Sequence, residues 1–418
     1  MIKLFRYPEV RAKIIFTLSI IVIFRLLAHV PVPGVNIETI RAFLSGSALF
    51  GMFDLFSGGG FQNFSIVTLG LGPYINASIV MQLLTVMVPS LEELSKEGEY
   101  GREKINLYTK YLTVPMTIFQ AYGIYFLLNR QGALPTLSPI DLVVLMITLS
   151  AGAMFLVWLG DLVTERGVGN GVSLLIFVGI ISRLPQSLYA FVATMTAETF
   201  FNTLLFAALA IAVIVGVVFV NEGTRNIVIE YGRSSTRSQK VTNYLPLKVN
   251  QAGVIPIIFA VSVVLIPSML ANPMMASGNY FLRNVGRFLS VNFSQNDLPY
   301  NILYFLLVVV FTFFYTGIQF NPQKIADDVK KRGGFIPGIR PGMGTAQYLK
   351  NVVNRITLAG AVFLGLIAIL PYFVQQLAGV TTLTIGGTGL LIVVSVVLET
   401  IRQIESQMVT RSYDRFLF

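Results

Sequence analysis

The stretch FDLFSGGGFQNFSIVTLGLGPYINASIVMQLLTVMVPS, residues 53–90, decides how the rest of the chain is read. It opens with Phe53, Leu55, Phe56, Phe61 and Phe64 set around three consecutive glycines, Gly58, Gly59 and Gly60. It then passes Gly70, Gly72 and Pro73 and only afterwards settles into an apolar helix that stops at Pro89. A glycine triplet cannot hold a rigid spanning helix, and Pro73 removes a backbone donor. Two readings fit. In one, a re-entrant or loosely packed element precedes a helix that starts partway through a bilayer. Backbone this irregular survives at membrane depth only where it is buried in protein or lines an aqueous cavity. In the other, an ordinary external loop precedes the helix.

Composition places the stretch in a membrane. The chain has 418 residues, 54% hydrophobic and 12% charged, against roughly 25% charged in a soluble domain. The absence of cysteine excludes disulfides, thiolate metal sites and cysteine nucleophiles. The single histidine, His29, excludes a multi-histidine metal cluster and stands beside Pro31 at the end of the first apolar run, an interfacial position. No metal or other cofactor is expected. The basic start MIKLFRYPEVRAKI leads into a run that carries Arg25 and ends in Pro-Val-Pro-Gly, with no small-residue cleavage site. A retained span is expected there, not a removed signal peptide.

Ten apolar runs can be counted, near 14–32, 67–89, 110–128, 140–160, 171–190, 203–220, 252–272, 301–320, 353–374 and 382–401, each close to the ~20 residues a spanning helix needs. Of the 30 Lys and Arg, Arg25 lies inside the first run, and Arg41, Arg130, Arg183, Arg283 and Arg287 fall on one set of connections. The other 24 fall on the alternate set and on the two ends. By the positive-inside rule both termini are cytoplasmic, which ten spans satisfy. The net charge of +10 follows from topology and needs no nucleic acid, although a basic face could also meet a ribosome or an acidic partner. The spans themselves carry almost no charge, Arg25 and Asp161 lying toward run ends, which argues against a proton- or ion-coupled pump.

Two cytoplasmic segments exceed simple turns. In residues 221–250, RNIVIEYG alternates like a strand and Arg233 to Lys240 is a polar turn, so a projecting β-hairpin is expected. Residues 321–351 begin as a basic helix that stops at Gly333-Gly334, then turn Pro- and Gly-rich, with Arg340 before Pro341 at the expected tip. Solvated linkers and a docking platform both fit; loops this long without a purpose are uncommon in compact proteins, which favours the platform. Pro73 in the second run and Pro256 with Pro267 in the seventh are matched interruptions, a weak sign of an inverted five-plus-five repeat.

No Walker loop, acidic pair or serine-protease arrangement is present, and GxG patterns such as Gly58-Gly60 and Gly70-Gly72 do not occupy a strand-to-helix turn. A membrane-embedded enzyme therefore has no visible constellation, and a small-molecule secondary transporter lacks the charges it would use. What remains are β-branched apolar residues at helical spacing: Ile75 with Ile79, near Asn76, Gln82 and Thr85; Val172 with Ile176; Ile258; and Ile392. Spacing alone makes such residues core or lipid-facing far more often than pore-lining.

Several stretches together resemble the SecY protein-translocation channel family: VPVPGVN (30–36), FSGGGFQNFSIVTLGLGPYINASIVMQLLTVMVPSLEELSKEGEYGREKINLYTKY (56–111), ERGVGNGVSLLIF (165–177), LPLKVNQAGVIPIIFA (245–260), ADDVKKRGGFIPGIRPG (326–342) and IGGTGLLIVVSVVLE (385–399). The resemblance runs over nearly the whole chain. It implies an all-α integral membrane protein of ten transmembrane helices in two inverted five-helix halves, residues 1–200 and 201–418. A re-entrant plug over about 53–66 would involve Phe53, Leu55, Phe56, Gly58, Gly59, Gly60, Phe61 and Phe64. Ile75, Ile79, Val172, Ile176, Ile258 and Ile392 would form the pore ring, valine at 172 keeping it β-branched. Gln82, Thr85, Asn250 and Gln251 would lie at a lateral gate. Arg225, Arg233, Lys330, Lys331, Arg332 and Arg340 would dock a motor or ribosome, Arg340 matching the arginine at which SecA docks. The implied activity is passive passage of unfolded polypeptides across a bacterial plasma membrane, with sideways release of apolar segments into lipid. The implied partners are the small subunits SecE and SecG, the SecA motor ATPase, the ribosome, signal sequences, unfolded preproteins and lipid, with SecD, SecF and YidC as further candidates. Nucleic acid would be met only through the ribosome.

Overall fold

In lipid every backbone N–H and C=O must be satisfied within the protein, so an apolar chain of this kind folds as helices. The computed structural model describes residues 8–33, 35, 38, 40, 57–130, 132–185, 189, 200–231, 242–275, 277–293, 297–378 and 387–417. Among the described residues, each of the ten apolar runs overlaps a helix. Phe53, Leu55, Phe56, Arg233 and the expected hairpin turn at 233–240 lie outside the described residues.

The chain divides into two units. The first comprises Met1–Met195, Thr381–Ile385 and Val396–Phe418. It holds α1 (Pro8–Leu27), α2 (Gly72–Met87), α3 (Pro89–Lys96), α4 (Glu99–Arg130), α5 (Pro139–Arg166) and α6 (Gly171–Ile181). Pro73 stands in the first turn of α2, where its missing N–H has no helical partner to lose. It starts this helix and does not interrupt it. At Val88 the chain bends by 100° into α3, which begins at Pro89. The start of α5 is capped by Ser138, whose Oγ accepts from the Asp141 amide at 3.3 Å. Asp161 near the end of α5 pairs with Lys110 of α4 at 2.8 Å, so this acid is partnered. A core of Phe61, Phe64, Leu69, Leu128, Leu145, Leu149 and their neighbours joins α4, α5 and the segment before α2.

The second unit comprises Thr196–Val380 and Gly386–Ser395. It holds α7 (Phe200–Glu222), β1 (Thr224–Tyr231), β2 (Thr242–Lys248), α8 (Ile255–Met275), α9 (Tyr280–Asn292), α10 (Leu298–Gln319), α11 (Pro322–Lys331), β3 (Gly334–Phe335), α12 (Met343–Ala378) and the first turns of α13 (Gly387–Leu417), whose remainder belongs to the first unit. The expected hairpin is present: β1 and β2 pair antiparallel from Thr224↔Lys248 to Glu230↔Thr242. The two-residue strand β3 adds to β1 through Glu230↔Phe335 and Tyr231↔Gly334, giving the order β2-β1-β3. Both long segments thus share one sheet.

Among the described residues, four helical segments are long and apolar enough to cross a membrane: Glu99–Asn129, Pro139–Arg166, Leu298–Lys331 and Met343–Phe373. Gly72–Met87 and Pro89–Lys96 reach that length and apolarity only when the two bent helices are taken together, and Gly171–Ile181, Ala207–Glu222 and Ile255–Pro267 are shorter apolar helices. The chain is therefore a multi-pass membrane protein with a small sheet.

Candidate channel and docking elements

The glycine-rich segment is closely packed where it is described, which differs from the loose packing read from its composition. Phe61 and Phe64 are 2% and 0% exposed. The Phe61 amide donates to Ser57 Oγ at 2.9 Å, and the Ser65 amide to the Gly60 carbonyl at 2.9 Å. The segment is tied to the chain after α1 by two backbone bonds, Val32 N–H to Phe64 O at 2.9 Å and Ile66 N–H to Val30 O at 3.0 Å, around the antiparallel bridge of Pro31 with Ser65. Arg25 donates to the Gly58 carbonyl and, at 3.0 Å, to Ser182 Oγ on the chain just after α6. A charge inside the first span thereby has a structural task.

Close approach explains the glycine at 58. Its φ is +65°, and a Cβ there would lie 2.5 Å from the Phe24 ring. Phe64 holds φ +41°, a conformation costly for a bulky residue, stabilised by complete burial of its ring. Composition pointed to the glycines of the triplet but not to Gly152 of α5. A Cβ at Gly152 would fall 1.9 Å from the Ile66 carbonyl oxygen, so this residue seats the whole segment.

Of the residues expected at the ring, Ile75 and Ile79 lie one turn apart on α2 and are buried. On α6, Ile176 is buried and Val172 half-buried, the latter against Gly160 of α5. In the second unit, Ile258 on α8 and Ile392 on α13 are buried. Of the residues expected at the gate, Thr85 is buried and donates to the Gln82 carbonyl at 2.7 Å, while Gln82 Oε1 is buried without a hydrogen-bond partner among the described residues. Asn250 is buried and donates to Asn221 Oδ1 at 2.7 Å and to the Gly253 carbonyl at 3.2 Å; Gln251 is half-buried. Asn221 in turn donates to Ser395 Oγ on α13 at 2.8 Å. This relay joins the end of α7, the chain after β2 and α13. Asn221 and Ser395 were not legible as partners, because single polar residues at run ends carry no pattern.

The described residues expected to dock a partner sit on a folded platform. Ile227 and Leu247 of the hairpin pack with Ile336 and with Leu349, Val352 and Val353 of α12. Asn321 caps α11 by accepting from the Lys324 amide at 3.0 Å, and Lys330 and Lys331 occupy its last turn, where cations suit the helix dipole. The Arg340 carbonyl accepts from the Thr345 amide and hydroxyl, both at 3.2 Å, which fixes the backbone at the entry to α12. Arg225, Lys330, Lys331, Arg332 and Arg340 are all exposed, and none forms an ion pair among the described residues. The same residues contain no group of three or more His, Asp or Glu able to hold a metal ion.

Sequence and fold comparisons meet this geometry. A family model described as SecY matches residues 65–401. Protein translocase subunit SecY of Mycobacterium bovis is 43% identical over 438 residues, covering 99% of this chain and 98% of the relative. The subunit of the same name from Aquifex aeolicus is 42% identical over 430 residues, with coverage of 99% and 98%. Two solved structures share the fold. One is described as a protein-conducting channel, with TM-score 0.62 and 19% identity over 96% of this chain and 93% of that one. The other is a SecY protein whose plug domain is described as stabilising the closed state, with TM-score 0.64 and 19% identity over 97% and 96%. Kinship to these relatives over nearly the full chain makes this a translocation-channel subunit, not an enzyme. The chain belongs to the SecY family.

Proposed function

We propose that this chain is a passive, gated channel for unfolded polypeptides in a bacterial plasma membrane, crossing it ten times in two inverted five-helix halves with both termini cytoplasmic. The observation that carries the proposal is family membership over nearly the full chain, with the six ring positions all apolar and five of them buried. An unfolded chain offers no common chemistry to recognise. A ring of branched apolar side chains can therefore serve as a deformable seal, and an apolar constriction stops ions by dewetting. The seal yields as a polypeptide passes and closes behind it. The segment around 53–66 plugs the external side and is released by exchanging its backbone bonds to Val30 and Val32.

A signal sequence is an apolar helix and partitions into lipid, leaving through a lateral gate at Gln82, Thr85, Asn250 and Gln251. Polar groups there suit an opening seam: they lose little when water replaces a partner. The sequence carries no nucleotide motif, so the driving force comes from a partner: the SecA motor or a ribosome, docked on the cations of the β1–β3 platform. Solved neighbours of the fold include a channel in a ribosome complex from the endoplasmic reticulum and an Ssh1 complex bound to the yeast 80S ribosome. SecE and SecG are the expected small subunits, with SecD, SecF and YidC as further associates. The test is reconstitution of the chain with these small subunits into vesicles. Motor- and ATP-dependent protection of a secreted preprotein from protease is the expected result. Gradient-driven uptake of a small solute with no preprotein protection would replace the channel by a transporter.

A further inference from the structure

Between α8 and α10 lies α9 (Tyr280–Asn292), which none of the channel or docking elements uses. Its start is fixed locally, where Asn279 Oδ1 accepts from the Phe281 amide at 3.0 Å. One face is seated on α8. Gly286 approaches so closely that a Cβ there would fall 2.6 Å from the Met275 nitrogen and 2.7 Å from the Ala271 carbonyl oxygen. Ser290, one turn further on, donates to Met275 Sδ at 3.6 Å. The middle of α9 thus rests on the last turn of α8, as in a helix that crosses the end of its neighbour and does not return along it.

The face turned away from Gly286 is apolar. Tyr280, Phe281, Phe288 and Val291 lie there around Asn284 at helical spacing, from 60% exposed at Phe288 to 71% at Tyr280. Arg283 and Arg287, one turn apart, border that face, and Arg283 stands 6.0 Å from the centre of the Tyr280 ring. Helix α9 carries no acid, and neither arginine forms an ion pair among the described residues. Its 13 residues are too few to span a bilayer. Yet only residues 293–297 separate it from α10, which is long and apolar enough to cross one. The exposed apolar surface continues onto both neighbours, at Leu270 of α8 and Leu298 of α10. Helix α9 therefore lies at a membrane boundary. Water would leave its aromatic rings bare. A protein groove would have to bring acids for both arginines. A phospholipid leaflet offers apolar depth and a layer of phosphates together, the combination that aromatic and arginine side chains meet at a membrane interface.

We infer that α9 is an interfacial helix, lying in the plane of the membrane. Its aromatic face enters the leaflet where α8 ends and α10 begins, and Arg283 and Arg287 bond lipid phosphates at the edge of that face. Zwitterionic phospholipid suffices, because the phosphate is common to all. The inference rests on α8 and α10 being membrane spans, not on the channel assignment. Helix α8 carries Ile258, so a tilt of that helix has to move α9 through the leaflet. The seated helix thereby sets the depth of α8 and resists its motion.

The test uses the full chain with its small subunits in phosphatidylcholine nanodiscs. Trp158, the one tryptophan, is replaced by phenylalanine, and Phe288→Trp puts a reporter on the exposed face of α9. Phosphatidylcholine brominated near the glycerol should quench its emission strongly, the same lipid brominated at the chain ends weakly, and aqueous acrylamide hardly at all. Quenching by acrylamide and not by brominated lipid would put α9 in water and overturn the inference. Stronger quenching from the chain ends would put it in the hydrocarbon core, and protection from every quencher would mean a protein cover, a small subunit or a second copy; each overturns the inference too. The paired Arg283→Glu and Arg287→Glu variant turns two attractions into repulsions. Amide exchange over residues 280–292 should then rise about tenfold or more, with exchange in the β1–β3 sheet as in the parent. Unchanged exchange over 280–292 would overturn the phosphate contacts.

Discussion

Residues 57–71 of the first unit and residues 332–342 of the second are both rich in glycine and poor in helix, yet they hold their backbones by different means. The first turns inward. Its amides and carbonyls bond one another and the chain after α1, and its two phenylalanines are sealed in the core. The second borrows order from elements outside itself, lending β3 to the edge of β1 and placing Ile336 against α12, while its cations face outward. The glycines divide in the same way. A Cβ at Gly58 would strike the Phe24 ring, whereas one at Gly338, at φ +78°, meets nothing within 4 Å. One glycine is required by packing, the other by a turn. Glycine content by itself therefore says nothing about mobility.

The sharpest way to break this contrast is Gly152→Val. The new side chain meets the Ile66 carbonyl, and overpacking against backbone should cost about 3 kcal/mol or more. Amide exchange over residues 57–68 should rise far more than exchange in the β1–β3 sheet; uniform destabilisation would refute a local seat. Next is Leu349→Ala beneath the sheet, where a fully buried leucine is lost at about 2–4 kcal/mol. Melting of the purified complex should fall, with β1–β3 exchanging first. Then comes a matched pair, Gly58→Asn and Gly338→Asn. Asparagine tolerates positive φ, so the second should cost less than ~0.5 kcal/mol, while the clash at 58 adds about 1–3 kcal/mol. Equal effects in a denaturant series would erase the distinction. The smallest effect on stability is Arg340→Glu, near zero for an exposed side chain. Its consequence is expected in function, as a loss of SecA-driven translocation of about tenfold or more with insertion unchanged.

Much of this was legible in the chain. Apolar runs located the helices, because a backbone in lipid has few other solutions, and the alternation in RNIVIEYG located the hairpin. Strand β3 was not legible, since two residues carry no period and its pairing is long-range. The amphipathic helix α9 was missed because at thirteen residues it is too short for a span and lies between two longer runs. Pro73 read as an interruption, although at the first turn of a helix proline is a start signal. Among candidate site residues, Ile75 and Ile79 were found by spacing and assigned by resemblance. Asn221, Ser395 and Gly152 were invisible because their roles depend on what the fold brings against them.

The central claim is that the six ring side chains seal a channel, and the most direct measurement is ion conductance of the resting complex in planar bilayers. With Ile75, Ile79, Ile176, Ile258 and Ile392 replaced together by serine, wetting of the constriction should give a persistent conductance absent from the parent, without any motor or substrate. A folded, inserted serine variant as tight to ions as the parent would contradict the account.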